Sequence, residues 1–450
     1  VSMKTFQGKR VFVIGAGRSG LSSALLLLGE GAEVTLFDER LKDDVERSLG
    51  EPVRPKISFV HGMVSGQAAA EADLVILSPG VPREKLPLGE LSRAGIPVWG
   101  ELELGFRRFS GKVAAVTGTN GKSTVTTLLG QMASHVFPQV FVGGNLGTPF
   151  VEACGQAYDW AVVEVSSFQL ETIDTFRPAV AVLLNITEDH RDRYPDASSY
   201  AEAKMGIFRN QGPDDRAVVN ADDPEISSRL PGIRAAQVPF SSSRELATGV
   251  SLEGEEMVYR DGTVEERYPV ALLRIRGLQN VENAMAAIGA ARCMEIPAEI
   301  VWEYLRSFRG LPHRAEFVRT VRRVSFVNDS KGTNVGAVIK CLEGFSEPVW
   351  LIAGGKDKGL SFLPLREILE RKARAVILLG EARDRMVREL SGTVPLLGAD
   401  SLDEAVRAAA EHAVPGDVVV LSPGCASFDM FRNFEERGEA FRKAVMGLPE

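Results

Sequence analysis

Short runs rich in Val, Ile and Leu alternate along the chain with stretches whose apolar positions recur at helical spacing. That alternation predicts parallel sheets covered by helices, an α/β class throughout. The clearest runs are residues 10–14, 34–37 and 73–77, then 113–116 and 162–165, then 324–327, 349–353, 375–379 and 418–421. Nearly every run empties into a glycine-rich or polar loop, and the ends of parallel strands are where an open α/β sheet binds its ligands. A chain of 450 residues exceeds one core, and the grouping of runs predicts three domains, 1–105, 106–310 and 311–450. The stretch 241–266 reads as a polar hairpin region without evident chemistry.

The most telling loop follows the run 113–116. Thr117-Gly118-Thr119-Asn120-Gly121-Lys122-Ser123-Thr124 combines glycines, a lysine and two hydroxyls before a helical segment. Glycines let backbone N–H groups turn toward an anion, the helix N-terminus adds partial positive charge, Lys122 reaches β/γ-phosphates, and Ser123 or Thr124 meets magnesium. The ligand expected is ATP. A general P-loop wants glycine five residues before Gly121, where Val116 stands, so the match is to a narrower variant.

Two further signals sit in the same central unit. Glu164, in Glu164-Val165-Ser166-Ser167-Phe168-Gln169, and His190, in Asn185-Ile186-Thr187-Glu188-Asp189-His190, each follow an apolar run. They are expected to converge on a metal beside the ATP loop, a carboxylate, an imidazole and phosphate oxygens forming its shell. In the first unit, Gly15-Ala16-Gly17-Arg18-Ser19-Gly20 after a strand, with Asp38 ending the next, has dinucleotide-binding spacing. The three glycines admit a pyrophosphate whichever nucleotide carries it, which leaves NAD, FAD or another nucleotide open. A nicotinamide-dependent oxidoreductase would leave the Thr117–Thr124 loop unexplained, and a regulatory ATP-binding module would leave the polar strand ends of the last unit idle.

Composition narrows the picture. A net charge of −8 without a clustered basic stripe argues against nucleic-acid binding. The four cysteines are dispersed, with no C-x-x-C pair, which fits a reducing cytosol rather than a zinc or disulfide framework. No apolar run approaches membrane-spanning length and the start has no signal-like segment, so a soluble, cytoplasmic protein without membrane partners is expected.

Taken in order, the loops above resemble the Mur ligase family along essentially the whole chain. They are joined by Leu311-Pro312-His313-Arg314, Asn328-Asp329-Ser330-Lys331-Gly332-Thr333-Asn334 and Ser422-Pro423-Gly424-Cys425-Ala426-Ser427-Phe428-Asp429. Sister branches carry an Asp-Tyr-Ala-His type segment where this chain has Asp329-Ser330-Lys331-Gly332, and that difference points to the D-glutamate-adding branch.

The resemblance implies a Rossmann-like UDP-substrate domain, a central ATP-binding domain and a Rossmann-like amino-acid-binding domain, acting as a monomer on UDP-N-acetylmuramoyl-L-alanine and D-glutamate in cell-wall precursor synthesis. The Gly15–Gly20 loop is thereby reassigned to uridine diphosphate, with Gly17, Arg18, Ser19, Asp38, Ser78 and Gly80 near it, while Asn145, Ser166 and His190 line the channel toward ATP. Nucleotide contacts carry over to Gly118, Thr119, Asn120, Gly121, Lys122, Ser123, Thr124, Asn280, Asn283, Arg314 and Asp329. D-glutamate falls to Lys331, Thr333, Lys358, Ser427 and the backbone near Phe434. Two magnesium ions are implied, held through Ser123, Glu164, His190 and Lys204 as a carbamate, with Lys122, Glu164, His190, Lys204 and Arg314 carrying the chemistry. The chain departs from the family at Gln279, where His is usual, and at Glu39, where a small hydroxyl residue is common.

Overall fold

The computed structural model describes residues 6–49, 56–69, 71–187, 189, 193–275, 277–359 and 361–449. Among them, three sheets follow one another along the chain. The first has five strands, all parallel, in the order Ser58–His61, Glu33–Asp38, Arg10–Ile14, Leu74–Leu77, Val98–Gly100. Its chain reverses direction of progress between Arg10–Ile14 and Leu74–Leu77, so the Gly15 and Ser78 loops leave from adjacent strand ends. Ser78 Oγ donates to the Gly15 carbonyl at 2.7 Å, tying the two loops.

The central sheet has nine strands, and the strand Lys112–Thr117 lies in its interior between Trp160–Glu164 and Val180–Leu183. All three are buried and apolar on both faces, as parallel strands under two helical layers must be. One face packs on the helices Lys122–Val136 and Leu278–Cys293 through Val125, Leu128, Leu129, Ala284 and Ile288, and the other on Phe150, Phe176 and Ile207. The polar hairpin region is the far edge of this sheet: Gly249–Glu253, Glu256–Arg260 and Glu265–Pro269 form an antiparallel meander. It buries Val250, Met257 and Tyr268 in the same core as the ATP-loop helix, a role that its polar composition hid.

The third sheet has six strands, with Val418–Leu421 between Val324–Asn328 and Val349–Gly354. These three interior strands end at the Asn328, Gly354 and Leu421 loops singled out from the sequence. The helix Glu101–Arg108 follows the last strand of the first sheet and contains residue 105, the expected first boundary. Its acidic side chains are latched to the central domain: Glu103 is fully buried and accepts the backbone N–H groups of Asp174, Thr175 and Phe176. No helix among the described residues is long and apolar enough to cross a membrane.

Candidate active site

The strand Lys112–Thr117 delivers the chain to the loop 118–121, and the helix Lys122–Val136 begins at once. Two glycines make the turn possible. Gly121, at φ 85°, is left-handed, and a Cβ there would lie 2.2 Å from Asn283 Oδ1. Gly118, at φ 152°, would meet Leu184 Cβ at 2.9 Å. Thr119 N donates to the Asn185 carbonyl and Asn120 N to Asn185 Oδ1, both at 2.9 Å, so the loop is held against the neighbouring strand end. The Lys122 ammonium folds back onto the Gly118 and Thr119 carbonyls at 2.8 and 2.9 Å, the posture of a cation waiting over an anion cradle.

Glu164 ends the adjacent strand, 3% exposed, and its two oxygens are fully engaged. Ser123 Oγ donates to one at 2.5 Å and Asn145 Nδ2 to the other at 2.7 Å. Burial raises the carboxyl, but the Lys122 charge, these two hydrogen bonds and Arg314 outweigh it, and the net shift is downward. Arg314 arrives from the third domain, its Nη2 donating to Ser123 Oγ at 2.6 Å. A hydroxyl and an ionised carboxylate at the helix N-terminus form a hard oxygen pair suited to Mg²⁺, an ion that keeps waters and phosphate oxygens in its shell. Among the described residues, no group of three or more His, Cys, Asp or Glu side chains gathers as a metal cage. His190 lies outside them.

Lys204 is buried on the helix Ala197–Met205, with 1% exposure, and its Nζ donates to the Gly118 carbonyl at 2.9 Å and sits 4.6 Å from the centroid of the Tyr200 ring. Burial, then the nearby Lys122 charge, push its pKa well below that of a free lysine. Lys331, Thr333 and Lys358 face this group across the domain boundary, in one cavity of about 270 Å³ that also exposes Asn120, Lys122, Asn145, Glu164, Ser166 and Arg314. Burial brings Lys331 down to about 8, and its ammonium lies 3.8 Å from the Phe434 ring centroid. Ser427 and Phe434 are not in the cavity wall; the carbonyl of Phe434 accepts from Ser330 Oγ at 2.8 Å and braces the loop from behind.

A second cavity, about 340 Å³, opens on the other side of Asn120 and Gly121, walled by Asn283, Gln279, Phe240 and Lys340 among others. A narrow space lined by Thr124, Asn280, Arg314 and Asp329 adjoins both. Burial raises Asp329 to about 6 although Ser422 Oγ donates to it at 2.7 Å. The two cavities and the narrow space thus lie in series around the loop 118–121.

The nucleotide-sugar set divides. Gly17 caps the helix Arg18–Gly29, and Gly20 packs so tightly that a Cβ would lie 1.9 Å from the Gly15 carbonyl oxygen. Arg18 and Gly80 are exposed beside this turn and Ser19 is half-buried. Asn145 and Ser166 are in the reaction cavity instead. Asp38 is fully occupied within the fold: Ala16 N donates at 2.7 Å and Arg40 Nε at 2.8 Å. Burial raises its pKa, but Arg40 and the backbone N–H groups hold it at about 2. Asp38 therefore braces the loop, and Arg40 is the side chain left facing outward.

Sequence reasoning missed Arg40, Asp189, Asn334 and Arg437. Asp189 accepts from Asn334 Nδ2 at 3.1 Å and lies 3.9 Å from Lys358, bridging central and third domains. Arg437 is 2% exposed and spends its guanidinium on the carbonyls of Ser330, Cys425 and Ala426, clasping the two loops that shape the third domain's pocket. Asp189 stood inside a motif already in view; a lone arginine on a polar helix gave no signal.

Family models match in the same order as the domains: the Mur ligase MurD-like N-terminal domain over residues 9–100, the Mur ligase middle domain over 116–291 and the Mur ligase glutamate ligase domain over 313–425. The chain is 45% identical over 447 residues to a UDP-N-acetylmuramoylalanine–D-glutamate ligase of Syntrophotalea carbinolica, covering 99% of each. It is 44% identical over 443 residues to the protein of the same name from Geobacter metallireducens, covering 98% of each. Among solved structures, the UDP-N-acetylmuramate–alanine ligase of Thermotoga maritima aligns at TM-score 0.61 and 20% identity, over 97% of this chain and 99% of that one. The MurF ligase of the same organism in complex with ADP aligns at 0.60 and 19%, over 99% and 97%. These distant structures share the fold, and the close relatives share the sequence from end to end: the chain belongs to the Mur ligase family, in its UDP-N-acetylmuramoylalanine–D-glutamate ligase branch.

Proposed function

We propose that this chain joins D-glutamate to UDP-N-acetylmuramoyl-L-alanine at the expense of ATP, passing through an acyl phosphate. The carrying observation is the cavity in which the ATP loop, Asn145 and Ser166 of the central domain meet Lys331, Thr333 and Lys358 of the third. A carboxylate is a poor electrophile, so the alanyl carboxylate oxygen first takes the γ-phosphoryl group and ADP leaves. The amine of D-glutamate then attacks the acyl carbon, the tetrahedral intermediate expels phosphate, and the amine gives up a proton. Lys122 holds the phosphates, Arg314 offsets charge on the phosphoryl group in flight, and the ammonium groups of Lys331 and Lys358 with the Thr333 hydroxyl receive the two carboxylates of D-glutamate.

Ser123 and Glu164 are the residues that would hold Mg²⁺, with His190 and a modified Lys204 serving a second ion. Bound magnesium supplies positive charge that lets carboxylate and triphosphate approach one another. Lys204 suits carbamylation because burial and Lys122 favour its neutral amine, the form that can add to carbon dioxide with loss of a proton. The nucleotide-sugar is assigned to the Gly15–Gly20 loop with Arg18, Arg40, Ser78 and Gly80, and the adenosine to the cavity beside Asn283 and Gln279.

The test is phosphate release measured with ATP, UDP-N-acetylmuramoyl-L-alanine and D-glutamate, each omitted in turn. Release that requires all three is expected. Release indifferent to D-glutamate, or an NADH-dependent signal in their place, would overturn the reading.

A further inference from the structure

Glu101 is a buried carboxylate that the proposed reaction does not use. It opens the helix Glu101–Arg108, is 1% exposed, and meets hydrogen-bond donors. Val151 N donates to Oε1 at 2.8 Å and Gln169 Nε2 approaches Oε2 at 3.4 Å. Gln169 in turn closes the N-terminus of the short helix Ser167–Leu170: its Oε1 accepts from Ser166 N at 2.9 Å and from Ser166 Oγ at 3.0 Å, and Ser166 Oγ accepts from Gln169 N at 3.3 Å.

The backbone donor fixes the direction of the amide. A backbone N–H only donates, so Ser166 N requires the Gln169 oxygen, and the Gln169 amide nitrogen must then face Glu101. An ionised carboxylate is the side chain that accepts from both Val151 and Gln169 at once. The Ser166 hydroxyl donates to Gln169 Oε1 at 3.0 Å, and in that arrangement Ser166 Oγ offers the reaction cavity a lone pair.

We propose that Glu101 is a positioning residue which, through Gln169, sets Ser166 as a hydrogen-bond acceptor in the cavity, so that Ser166 receives an N–H or O–H of the nucleotide-sugar substrate and not its carboxylate. This rests on the reading of Ser166 as lining the substrate channel. Glu101→Gln places an amide N–H₂ against one of these donors and breaks the relay without removing bulk. Burial, opposed by the bonds from Val151 N, Gln169 and Phe150 N and assisted by Glu152, raises Glu101 to about 7. The other ionisable group beside it, the Cys154 thiol, is raised to about 12 by its own burial and stays neutral near pH 7.

The experiment is a double-mutant cycle on steady-state kinetics of the full chain with Glu101→Gln, Ser166→Ala and both, alongside Glu101→Asp and thermal melting. Glu101→Gln should raise KM for the nucleotide-sugar roughly tenfold while KM for ATP holds; the melting temperature falls by a few degrees because one buried donor is left unmet, and the KM of the double variant should match that of Ser166→Ala alone, because both changes remove one contact. In the wild type the same KM should rise as pH falls below about 7, where Glu101 gains a proton, and that dependence should vanish in Ser166→Ala. Additive effects, or equal rises in both KM values, would overturn the relay; should Glu101→Gln fold poorly, the Glu101→Asp cycle decides by the same criterion. Wild-type protein without D-glutamate-dependent phosphate release would instead defeat the functional reading, and a silent Ser166→Ala would defeat the proposal alone.

Discussion

The chain builds the same device twice, a strand running through a glycine turn into a helix, and puts opposite electrostatics behind each copy. Behind the Gly15–Gly20 turn stands Asp38, an acid held at about 2 by Arg40 and backbone N–H groups; no lysine follows the last glycine. Behind the Gly118–Gly121 turn stand the cations Lys122 and Arg314 and the amine of Lys204, basic groups whose pKa values are all depressed by burial. The backbone geometry that welcomes an anion is shared, so geometry alone does not decide between holding a phosphate and transferring one. What differs is buried positive charge, which costs folding energy until an anion arrives and so favours the charge-rich transition state. On the proposed reading the first loop holds its anion, a grip, and the second transfers one, a machine.

Breaking that difference at its strongest point should have the largest effect. Lys122→Ala should lower phosphate release on the order of 10²–10³-fold and leave nucleotide-sugar affinity by calorimetry nearly unchanged. Near-wild-type turnover would mean that the central loop is a grip as well. Lys204→Ala should cost on the order of 10²-fold, and acetate should return part of the loss if the working form is a carbamate, since the free carboxylate replaces the missing anion. Electron density for an unmodified ammonium with nucleotide and both metals bound would refute the carbamate.

How much of this was readable before folding follows the same divide. Interior parallel strands are apolar on both faces, so their runs and loops stood out, and three sheets resulted where three groups of runs were read. The meander at 249–269 was legible as a polar hairpin region, but its place at the edge of the central sheet, beside Ala236–Ser241, and its share of the core were not, because an antiparallel edge alternates polar and apolar residues. Gly118, Gly121 and Lys122 were legible because backbone chemistry needs them at fixed spacing. Arg40, Glu101 and Arg437 were not, since a charged residue in sequence looks like solvated surface; Glu101 and Arg437 take their roles from partners 50 and 107 positions away, and Arg40 from an Asp38 that only the fold buries against Ala16. The ring of Phe434, whose neighbouring backbone is expected at D-glutamate, lies under the Lys331 ammonium.

The third domain sharpens the comparison, because its cations face a substrate that both loops ignore. Loss of Lys331 or Lys358 should each cost about 1.5–3 kcal/mol in D-glutamate binding, read as a raised KM for D-glutamate beside unchanged values for ATP. With Lys331 at about 8, its charge is present at neutral pH and lost as pH rises through that value. KM for D-glutamate should therefore climb above about pH 8 and do so less steeply in Lys331→Met. A pH profile identical in the variant would remove Lys331 from the pocket's charge.

The smallest effect should come from the brace of the first loop. Asp38→Asn replaces one acceptor oxygen with an N–H₂ group facing Ala16 N or Arg40, leaving one buried donor unmet at a cost of about 1–3 kcal/mol. Arg40 lies partly in solvent, with 45% side-chain exposure, which places the loss at the low end. The expected outcome is a melting temperature a few degrees lower and a few-fold rise in KM for the nucleotide-sugar, with ATP and D-glutamate untouched. Because the folded carboxyl sits at about 2 against 3.8 for a free one, its stabilising contribution is fully present above 3.8 and is lost as pH falls toward 2. Asp38 thus adds no pH dependence of its own across the neutral range, unlike the charged pocket downstream. If Asp38→Asn raised KM for ATP as well, the two loops would be mechanically coupled, and the grip could no longer be treated as separate from the machine.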